Sequence, residues 1–393
     1  MNKTARMVGE STINRLNGEA GTEGRQKDLI REILSSAGIT IDGDKPWDIR
    51  ILDERFYSRV LHGGSLGLGE AYMDGWWECE SLDDFFSRVM YFNAEEKLGK
   101  SWKLILHLLQ SAVLNRGRKS RAFRVGEKHY DIGDDVYRNM LDKRMIYSCG
   151  YWKNADNLDD AQEAKLDLIC RKLGLRGGER ILDIGCGWGG LLKYACDRYG
   201  VEGVGLTVSK KQAELAKKIC DGLPVEIRLQ DYRDLDGEFD HIVSVGMFEH
   251  VGHKNYRMYM ETASRCLKDR GLFLLHTIGK NFSDFAMDPW FEEYIFPNSL
   301  IPSMKQISDA AEKIFVVEDW HNFGPYYDLT LMAWFRNFDS NWHKLRGVYD
   351  ERFYRMWKYY LLSCAGSFRA RYLQVWQIVF SKKGIPGGYE ASR

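Results

Sequence analysis

The order of apolar and polar residues divides the chain into two parts. In the first part, apolar side chains recur at helical spacing from Gln26 to Ala37, and a denser apolar pattern predicts a second helix from Val89 to Leu114. Between these helices lie short stretches that glycines interrupt, ITIDG, DIRI and GGSLGLGEAYMDGWW. We therefore predict a smaller, mainly helical N-terminal domain built from short elements.

A different pattern begins near Arg180. Five short apolar runs, ILDIG, VEGVGL, VEIRLQ, HIVSV and LFLLHTI, alternate with amphipathic segments, and the final run YLQVWQIVFSK has the pattern of one more strand. Strands that alternate with helices predict an α/β fold with a Rossmann-like sheet and helices on both faces. Continuous apolar runs are typical of such buried parallel strands. An aromatic-rich helical stretch is predicted from Asp328 to Phe368.

Charge marks the boundary between the two parts. A run of basic residues separates them, namely Arg116, Arg118, Lys119, Arg121 and Arg124. We predict four segments: a flexible N-terminus over residues 1–25, an accessory domain over 26–115, a basic linker over 116–128 and a catalytic domain over 129–393.

The bulk composition excludes several classes of protein. Lys plus Arg and Asp plus Glu number 56 each, so the net charge does not favour binding to nucleic acid. The mean hydropathy of −0.42 indicates a soluble protein. No apolar run reaches about 18 residues and the chain does not begin with an apolar segment, so neither a membrane span nor a secretory signal is predicted. Eight cysteines without a C-x-x-C pair indicate reduced thiols and a cytoplasmic location.

The segment ILDIGCGWGG predicts a ligand site. It places Asp183 at the end of a predicted strand and three close glycines, Gly185, Gly187 and Gly189, before a predicted helix. Such glycines let the backbone turn sharply and approach a ligand at the carboxyl edge of a sheet. A dinucleotide site is the competing interpretation, but its fingerprint is G-x-G-x-x-G, whereas the spacing here is G-x-G-x-G-G. An acid directly before the glycines fits the ammonium of a methionine, so we predict a site for S-adenosylmethionine.

Residues after the next two strands agree with a nucleoside site. Thr207 ends the second strand and Gln212 follows shortly after it, so ribose would be bound through neutral hydrogen bonds where an acid is more usual. Asp231 follows the third strand, where its carboxylate can accept a hydrogen bond from the adenine amino group. The alternative for Asp231 is a helix N-cap.

Further polar residues precede the predicted sheet or follow its strands, namely Tyr147, Ser148, Cys149, Glu249, His250, His276, Tyr326 and Tyr327. Strand ends face a common crevice, so these side chains can converge, although each could instead be a hydrogen-bonded structural group. The spacing E-H-x-x-H at residues 249–253 differs from the H-E-x-x-H of zinc enzymes, and no cysteine pair is present, so we predict no metal.

Taken in order, the motifs YSCGYW, DIGCGWGG, GLTVSKKQ, QDYRD, SVGMFEHVG, HTIG and CAGSFRAR closely resemble those of the cyclopropane-fatty-acyl-phospholipid synthases. The broader relatives are the methyltransferases that modify mycolic acids. The resemblance extends from about Asp48 to Phe380, and one departure is Gly150, where many members have alanine. It implies the sheet of a class I S-adenosylmethionine-dependent methyltransferase.

The resemblance also implies a reaction. A methylene group is transferred from S-adenosylmethionine to the cis double bond of an unsaturated phospholipid acyl chain, through a carbocation that bound bicarbonate deprotonates. The implied bicarbonate site comprises Cys149, Glu249, His276, Ile278 and Tyr327. Cys364 matches a position described as functional, and we predict a pocket or substrate-access residue there, with a buried structural thiol as the alternative. The predicted cofactor site comprises Tyr147, Ser148, Asp183, Gly185, Cys186, Gly187, Gly189, Thr207, Gln212, Asp231 and Tyr232.

A phospholipid substrate implies that the protein visits a bilayer, so peripheral association with the inner face of the membrane is expected. The apolar segment from Trp102 to Leu114 and the basic run after it have the composition of an interfacial anchor on anionic lipid; a buried helix and a solvated linker are the alternative. Members of the family often form dimers, so a homodimer is a further expectation. Methylation of a small molecule and non-catalytic lipid binding are competing functions, against which the bicarbonate-type residues and the intact glycine loop argue.

Overall fold

The structure of the protein is a computed structural model in which residues 22–94 and 133–393 are described. Most of the predicted flexible N-terminus, the segment from Trp102 to Leu114 and the basic run lie outside these residues. Contacts divide the described chain into two compact units. The first contains residues 22–94, 288–297 and 346–370, and the second contains residues 133–287, 298–345 and 371–393.

The elements of the described residues are numbered in chain order. The helices are α1 (Thr22–Ser36), α2 (Arg55–Met73), α3 (Leu82–Ala94), α4 (Asp134–Met140), α5 (Leu158–Leu173), α6 (Gly190–Tyr199), α7 (Lys210–Ile219), α8 (Tyr256–Cys266), α9 (Pro289–Tyr294), α10 (Met304–Ala311), α11 (Pro325–Leu345) and α12 (Glu351–Arg369). The strands are β1 (Ile49–Ile51), β2 (Trp77–Cys79), β3 (Arg180–Ile184), β4 (Glu202–Thr207), β5 (Val225–Leu229), β6 (Phe239–Val245), β7 (Leu267–Lys280), β8 (Val316–Asn322) and β9 (Leu373–Ser381). Short 3₁₀ helices span Tyr232–Asp234, Phe248–His250 and His253–Asn255.

In the first unit, β1 and β2 pair antiparallel beside a core of aromatic rings. The rings of Trp77 and Tyr72 meet edge to face, with centroids 5.1 Å apart. The glycine-rich stretch that was expected to form separate elements lies mostly within α2, which has a single kink at Gly64 (φ 57°, ψ −136°). That expectation was wrong because small size matters here more than chain flexibility: a Cβ on Gly69 would lie 2.3 Å from Trp290 Cδ1.

The second unit is built on a seven-stranded sheet in the order β5-β4-β3-β6-β7-β9-β8. All neighbours pair parallel except β7 with β9 and β8 with β9. Alternate residues of β3 point to opposite faces of the sheet. Leu182 belongs to one apolar cluster, together with Tyr259 of α8, and Ile181 belongs to a second cluster, together with Ile169 of α5. Two buried faces explain the continuous apolar runs, and the predicted α/β sheet with helices on both faces is confirmed.

The order of the strands concentrates several polar positions at one edge. The chain runs outward from β3 to β4 and β5, then returns to add β6 and β7 on the other side of β3. In such sheets, ligands bind outside the carboxyl ends of the strands where the direction of winding reverses. Asp183, Thr207 and His276 lie at or near the carboxyl ends of β3, β4 and β7, so they share this edge.

The helical stretch predicted from Asp328 to Phe368 consists of two helices, α11 and α12, which belong to different units. Gly347 lies in the turn between them, and the Asp350 side chain caps α12 by accepting a hydrogen bond from the Phe353 amide at 2.8 Å. A cap of this kind begins a new helix and explains the break.

A methyl group on Gly279 is expected to destabilise the second unit. Its Cβ would lie 2.0 Å from Trp376 Cζ3, between the paired strands β7 and β9, so the buried indole would have to shift. Overpacking of a core typically costs about 1–3 kcal/mol, and we expect Gly279→Ala to lower the denaturant midpoint accordingly. Gly347→Ala is the matched control, since nothing lies within 4 Å of its added Cβ. Equal midpoints for the two variants would contradict this expectation.

Candidate active site

The glycine loop joins β3 to α6 through three left-handed residues. Gly185, Gly187 and Gly189 have φ values of +90°, +53° and +83°, which side chains other than that of glycine rarely allow. The Gly185 amide donates to Leu206 O at 3.0 Å and so fixes the loop to the end of β4. A Cβ on Gly185 would lie 2.8 Å from the Met247 side chain. The loop therefore requires glycine for both its conformation and its packing.

Cys186 contributes to this loop through its backbone. Its amide donates to Leu206 O at 2.9 Å. Its thiol packs into the apolar layer, where a Cβ on Gly205 would lie 2.8 Å from Sγ, and burial raises the pKa of the thiol. Cys186 thus shapes the loop without presenting a thiolate.

Asp183 stands before the loop with an unsatisfied oxygen. The residue is 3% exposed, and its Oδ1 has no hydrogen-bond partner among the described residues. Burial raises the pKa of this carboxyl to about 7, while the positive charge of Lys165 opposes the rise. A buried oxygen without a donor is costly, which indicates that a ligand completes the site. The ammonium of a methionine moiety fits that position chemically.

The structure brings the two predicted ribose ligands together. Thr207 Oγ1 donates to Gln212 Oε1 at 2.8 Å and accepts from the Ser209 amide at 3.1 Å. Ser209 in turn caps α7, its hydroxyl accepting from the Gln212 amide at 3.3 Å. With Oε1 turned to Thr207, the side-chain nitrogen of Gln212 is the group left to donate to a ribose hydroxyl.

Asp231 is engaged by its own neighbour. It caps the 3₁₀ helix by accepting from the Arg233 amide at 2.9 Å, and its two carboxylate oxygens accept from Arg233 Nε at 2.8 Å and Nη2 at 2.7 Å. The guanidinium holds the pKa of Asp231 below its usual range. Asp231 is thus a helix N-cap, as the alternative interpretation has it. Its contact with adenine stays a prediction, and that contact requires the carboxylate to bind Arg233 and adenine together. Tyr232 is buried edge to face against Tyr259, with ring centroids 5.0 Å apart.

Glu249 and Ile278 are in direct contact. Glu249 lies in the 3₁₀ helix after β6, is 6% exposed, and its Oε1 accepts from the Ile278 amide at 2.7 Å. Its Oε2 is buried without a partner among the described residues. Burial raises the pKa of this carboxyl, so the protonated form is favoured relative to an exposed glutamate.

His276 lies two residues before Ile278 on β7. Burial lowers the pKa of its imidazole well below the ordinary value, so the ring is neutral. Its Nδ1 lies 3.4 Å from Gln377 Nε2 on the paired strand β9. Because the amide nitrogen is a donor, Nδ1 accepts and the proton is assigned to Nε2. His276 therefore offers a neutral N–H donor on the same strand as Ile278, whose amide donates to Glu249.

The segment 146–150 is held by two helices. From α5, Gln162 Nε2 donates to Ser148 O and Lys165 Nζ donates to Ser148 Oγ, each at 2.8 Å. From α11, Thr330 Oγ1 accepts from the Gly150 amide at 3.0 Å and lies 4.0 Å from Cys149 Sγ. Cys149 is fully buried, and burial raises the pKa of its thiol. Sequence reasoning missed Gln162, Lys165 and Thr330.

Aromatic rings lie beside this segment. Trp334 of α11 packs against Tyr147, with centroids 5.2 Å apart, and against Tyr327, with centroids 5.8 Å apart. Tyr147 also meets Tyr137 edge to face at 5.2 Å. Two predicted site residues, Tyr147 and Tyr327, thus share one tryptophan.

One predicted residue belongs to the other unit. Cys364 lies on α12, is partly buried, and burial raises the pKa of its thiol. In the part of the chain that the structure describes, no group of three or more His, Cys, Asp or Glu side chains is arranged to hold a metal ion. Within residues 22–94 and 133–393, no helix has the length and apolar composition needed to cross a bilayer.

Known proteins resemble this chain over most of its length. Residues 117–378 match the family model described as Mycolic acid cyclopropane synthetase. The chain is 53% identical over 365 residues to a cyclopropane-fatty-acyl-phospholipid synthase of Escherichia coli (strain K12), a match that covers 93% of this chain and 95% of that one. It is 34% identical to cyclopropane mycolic acid synthase 1 of Mycobacterium tuberculosis, with 65% of this chain and 96% of that one covered.

A solved structure extends the likeness to the fold. A mycolic acid cyclopropane synthase complexed with SAH and CTAB has a TM-score of 0.62 and 33% identity to this chain, covering 66% of this chain and 98% of that one. The sheet described above is accordingly that of a class I S-adenosylmethionine-dependent methyltransferase, as predicted. The chain therefore belongs to the mycolic acid cyclopropane synthetase family.

Proposed function

We propose that the protein transfers a methylene group from S-adenosylmethionine to the cis double bond of an unsaturated phospholipid acyl chain, forming a cyclopropane ring. The Escherichia coli relative carries the name of this activity and shares 53% of the aligned residues. The observation that carries the proposal is the buried contact of Glu249 with the Ile278 amide, two residues after His276. Methyl transfer to a lone pair on nitrogen requires no proton to leave carbon, whereas ring closure does, and this buried polar group is suited to hold a small anion that acts as the base.

The donor site must solve a problem of reactivity. An isolated alkene is a poor nucleophile, so it reacts only with a strong electrophile that is held close in dry surroundings. S-adenosylmethionine supplies that electrophile as a methyl group on sulfonium. The glycine loop, Asp183, and the Thr207–Gln212 pair would hold its amino-acid and ribose ends, and Asp231 with Tyr232 would contact adenine.

The second site must remove a proton from the added methyl group. Bicarbonate would supply the base there, held by Cys149, Glu249, His276, Ile278 and Tyr327. Two observations support an anion in this position. His276 is neutral with its proton assigned to Nε2, and the raised pKa of Glu249 favours a carboxyl whose unpartnered Oε2 can carry a proton. With Glu249 protonated, both groups are donors, which an anion requires.

Aromatic faces complete the proposed chemistry. The faces of tyrosine and tryptophan stabilise a cation without forming a bond to it. Tyr147, Tyr327 and Trp334 supply such faces beside the segment that carries Cys149. Cys364 is proposed to be a pocket or substrate-access residue and not a nucleophile, since burial raises the pKa of its thiol and disfavours the thiolate.

The test is an assay with a labelled donor. The protein is incubated with methyl-labelled S-adenosylmethionine and vesicles of unsaturated phospholipid, and the acyl chains are then analysed. Labelled cyclopropane is the expected product. A methyl-branched chain would show that the proton is lost elsewhere, and label that appears only in added small amines would replace this proposal with methylation of a small molecule.

The proposal includes peripheral binding to the inner face of the membrane through the basic run 116–124. Each Lys or Arg near an anionic surface contributes about 1 kcal/mol, so replacing Arg116, Arg118, Lys119 and Arg121 with glutamine should weaken binding to anionic vesicles at least about tenfold at low salt. The matched control replaces four exposed lysines of α7, namely Lys210, Lys211, Lys217 and Lys218. Unchanged binding by the first variant, or equal weakening by both, would remove this contact. The expected homodimer is tested separately by light scattering.

A further inference from the structure

Lys165 is a buried cation that forms no ion pair with the described residues. It lies on α5, is 1% exposed, and its Nζ donates to Ser148 Oγ at 2.8 Å. No carboxylate of the described residues forms an ion pair with it. Lys172, two turns later on the same helix, differs because its Nζ lies 3.1 Å from Asp319 Oδ2. An isolated charge is expensive to bury. The buried acids Asp142 and Asp183 offset part of the charge of Lys165 from beyond ion-pair distance, and the Asp142 carboxylate already accepts from the Ile146 and Arg144 amides, so Lys165 can still serve an anionic ligand.

The Ser148 hydroxyl lies against this cation and has a hydrogen of its own to donate. An ammonium only donates, so Ser148 Oγ acts as the acceptor and its own hydroxyl hydrogen is left to donate. The described residues offer no acceptor for that hydrogen. Gln162, one turn before Lys165, donates to Ser148 O at 2.8 Å and so fixes the backbone of the same residue. The result is a rigidly held donor with a positive charge directly behind it.

An anionic group of complementary character lies nearby. Asp183 is buried, and its Oδ1 has no partner among the described residues. The positive charge of Lys165 lowers the pKa of the Asp183 carboxyl, against the larger effect of burial. In the part of the chain that the structure describes, neither this buried acid nor the buried cation forms an ion pair. Together they match the two charges of an α-amino acid, whose ammonium and carboxylate share one carbon atom.

Resting on the proposed function, which makes S-adenosylmethionine the donor, we infer that Lys165 acts through the Ser148 hydroxyl to hold the carboxylate of the methionine moiety. Asp183 meets the ammonium, so the amino-acid end of the cofactor is recognised by charge at both poles. Lys165 is a positioning residue in this arrangement. Bicarbonate is a second anion that its charge could serve, but the Lys165 hydrogen bond goes to Ser148, whereas the neighbouring Cys149 thiol donates to Gly150 O at 3.2 Å.

The test compares two ligands that differ only in the carboxylate. Calorimetry measures the affinity of S-adenosylhomocysteine and of its decarboxylated analogue, S-adenosyl-3-thiopropylamine, for the wild type, Lys165→Met, Ser148→Ala and the double variant. Hydrogen bonds to charged groups are worth enough that each single variant should bind S-adenosylhomocysteine roughly 10- to 100-fold more weakly. Binding of the decarboxylated analogue should change less than about threefold, because the analogue cannot make the contact. The double variant should bind S-adenosylhomocysteine no more weakly than the more impaired of the two single variants, since both substitutions remove the same connected interaction.

The control and the turnover assay exclude a merely structural role. Lys172→Met removes another buried lysine from α5 and should lower the unfolding temperature while leaving the affinity ratio of the two ligands at the wild-type value. In turnover, Lys165→Met should raise the KM for S-adenosylmethionine by the same factor as the affinity loss, with kcat at saturation lowered less than about threefold.

Three results would overturn the inference. The first is that Lys165→Met binds both ligands more weakly by the same factor. The second is that its affinity for S-adenosylhomocysteine is unchanged, and the third is that its only defect is a higher requirement for bicarbonate. Failure of the proposed function is distinguishable, because a wild-type protein that shows the expected ligand ratios but forms no cyclopropane would leave this inference standing.

Discussion

Replacing Glu249 with alanine is expected to lower kcat/KM by roughly 100- to 1,000-fold, the range of losses when a preorganised hydrogen-bond donor is removed. The variant leaves the Ile278 amide without the acceptor that now lies 2.7 Å from it, and it removes one proposed donor to the bicarbonate. The measurement is the rate of cyclopropane formation on phospholipid vesicles over a range of bicarbonate concentrations. A higher apparent KM for bicarbonate should accompany the loss.

Glu249→Gln is the matched control for this prediction. Its side-chain oxygen can still accept from the Ile278 amide, and its nitrogen supplies a donor in place of a protonated Oε2. We therefore expect a loss of only about tenfold, comparable to one weakened hydrogen bond. Affinity for S-adenosylhomocysteine should be unchanged in both variants. Full activity of the alanine variant, or a glutamine variant as impaired as alanine, would contradict the proposed donor role of Glu249.

The second large effect is expected at Asp183. Asp183→Asn removes the charge that meets the ammonium of the cofactor, and we expect affinity for S-adenosylhomocysteine to fall roughly 100-fold. The same variant should leave the ligand-free protein at least as stable as the wild type. The reason is that burial raises the pKa of this carboxyl from 3.8 to about 7, so the ionised form is disfavoured in the folded state.

The sign of the pH dependence follows from that raised pKa. An unfolded chain ionises Asp183 near pH 3.8 whereas the folded chain holds its proton to about pH 7, so Asp183 destabilises the ligand-free fold increasingly as the pH rises between these values. Above about pH 7 the full cost, on the order of 4 kcal/mol, is present. Ligand binding requires the carboxylate, so affinity for S-adenosylhomocysteine should rise with pH up to about 7, approaching tenfold per unit. Calorimetry and thermal unfolding from pH 5 to 8 measure both effects.

Asp240 provides a control, because its replacement should change the stability of the fold in the opposite direction. Its carboxylate accepts from Lys268 Nζ at 2.6 Å and from the Arg180 amide at 2.9 Å, and its pKa lies below the usual value despite partial burial. Asp240→Asn should therefore destabilise the fold at neutral pH without changing affinity for S-adenosylhomocysteine. An Asp183→Asn variant that loses stability and keeps its affinity would refute the proposed contact with the ammonium.

Much of the sheet and of the donor loop could be predicted because their physical signals are local. Strands buried on both faces need continuous apolar runs, and the spacing of Gly185, Gly187 and Gly189 has few other uses. The partner of Glu249 could not be predicted in this way. Ile278 contributes a backbone amide, which every residue except proline possesses, so only the resemblance pointed to that position.

Lys165 shows a different limit of sequence reasoning. A lysine on a helix is usually exposed, and no site residue was predicted in the segment EAKLDLICRKL. Yet Lys165 and Lys172 fall on the same stripe as Leu158, Ala161 and Ile169, all of which are buried. Charged residues at apolar spacing were the available signal. Asp231 shows the converse, because a position that suits a ligand is also a helix cap bound by Arg233, and the contact with adenine stays a prediction.

The division of the chain into two units has a consequence for its synthesis. The core of the first unit includes Tyr359 of α12, whose ring lies 5.6 Å from Tyr72 and 5.1 Å from Phe86. A ribosome releases residues 22–94 long before α12, and most of the second unit emerges in between. The nascent first unit therefore exposes these aromatic rings until residue 370 has been made, and we expect the part of the protein that is translated first to finish folding among the last.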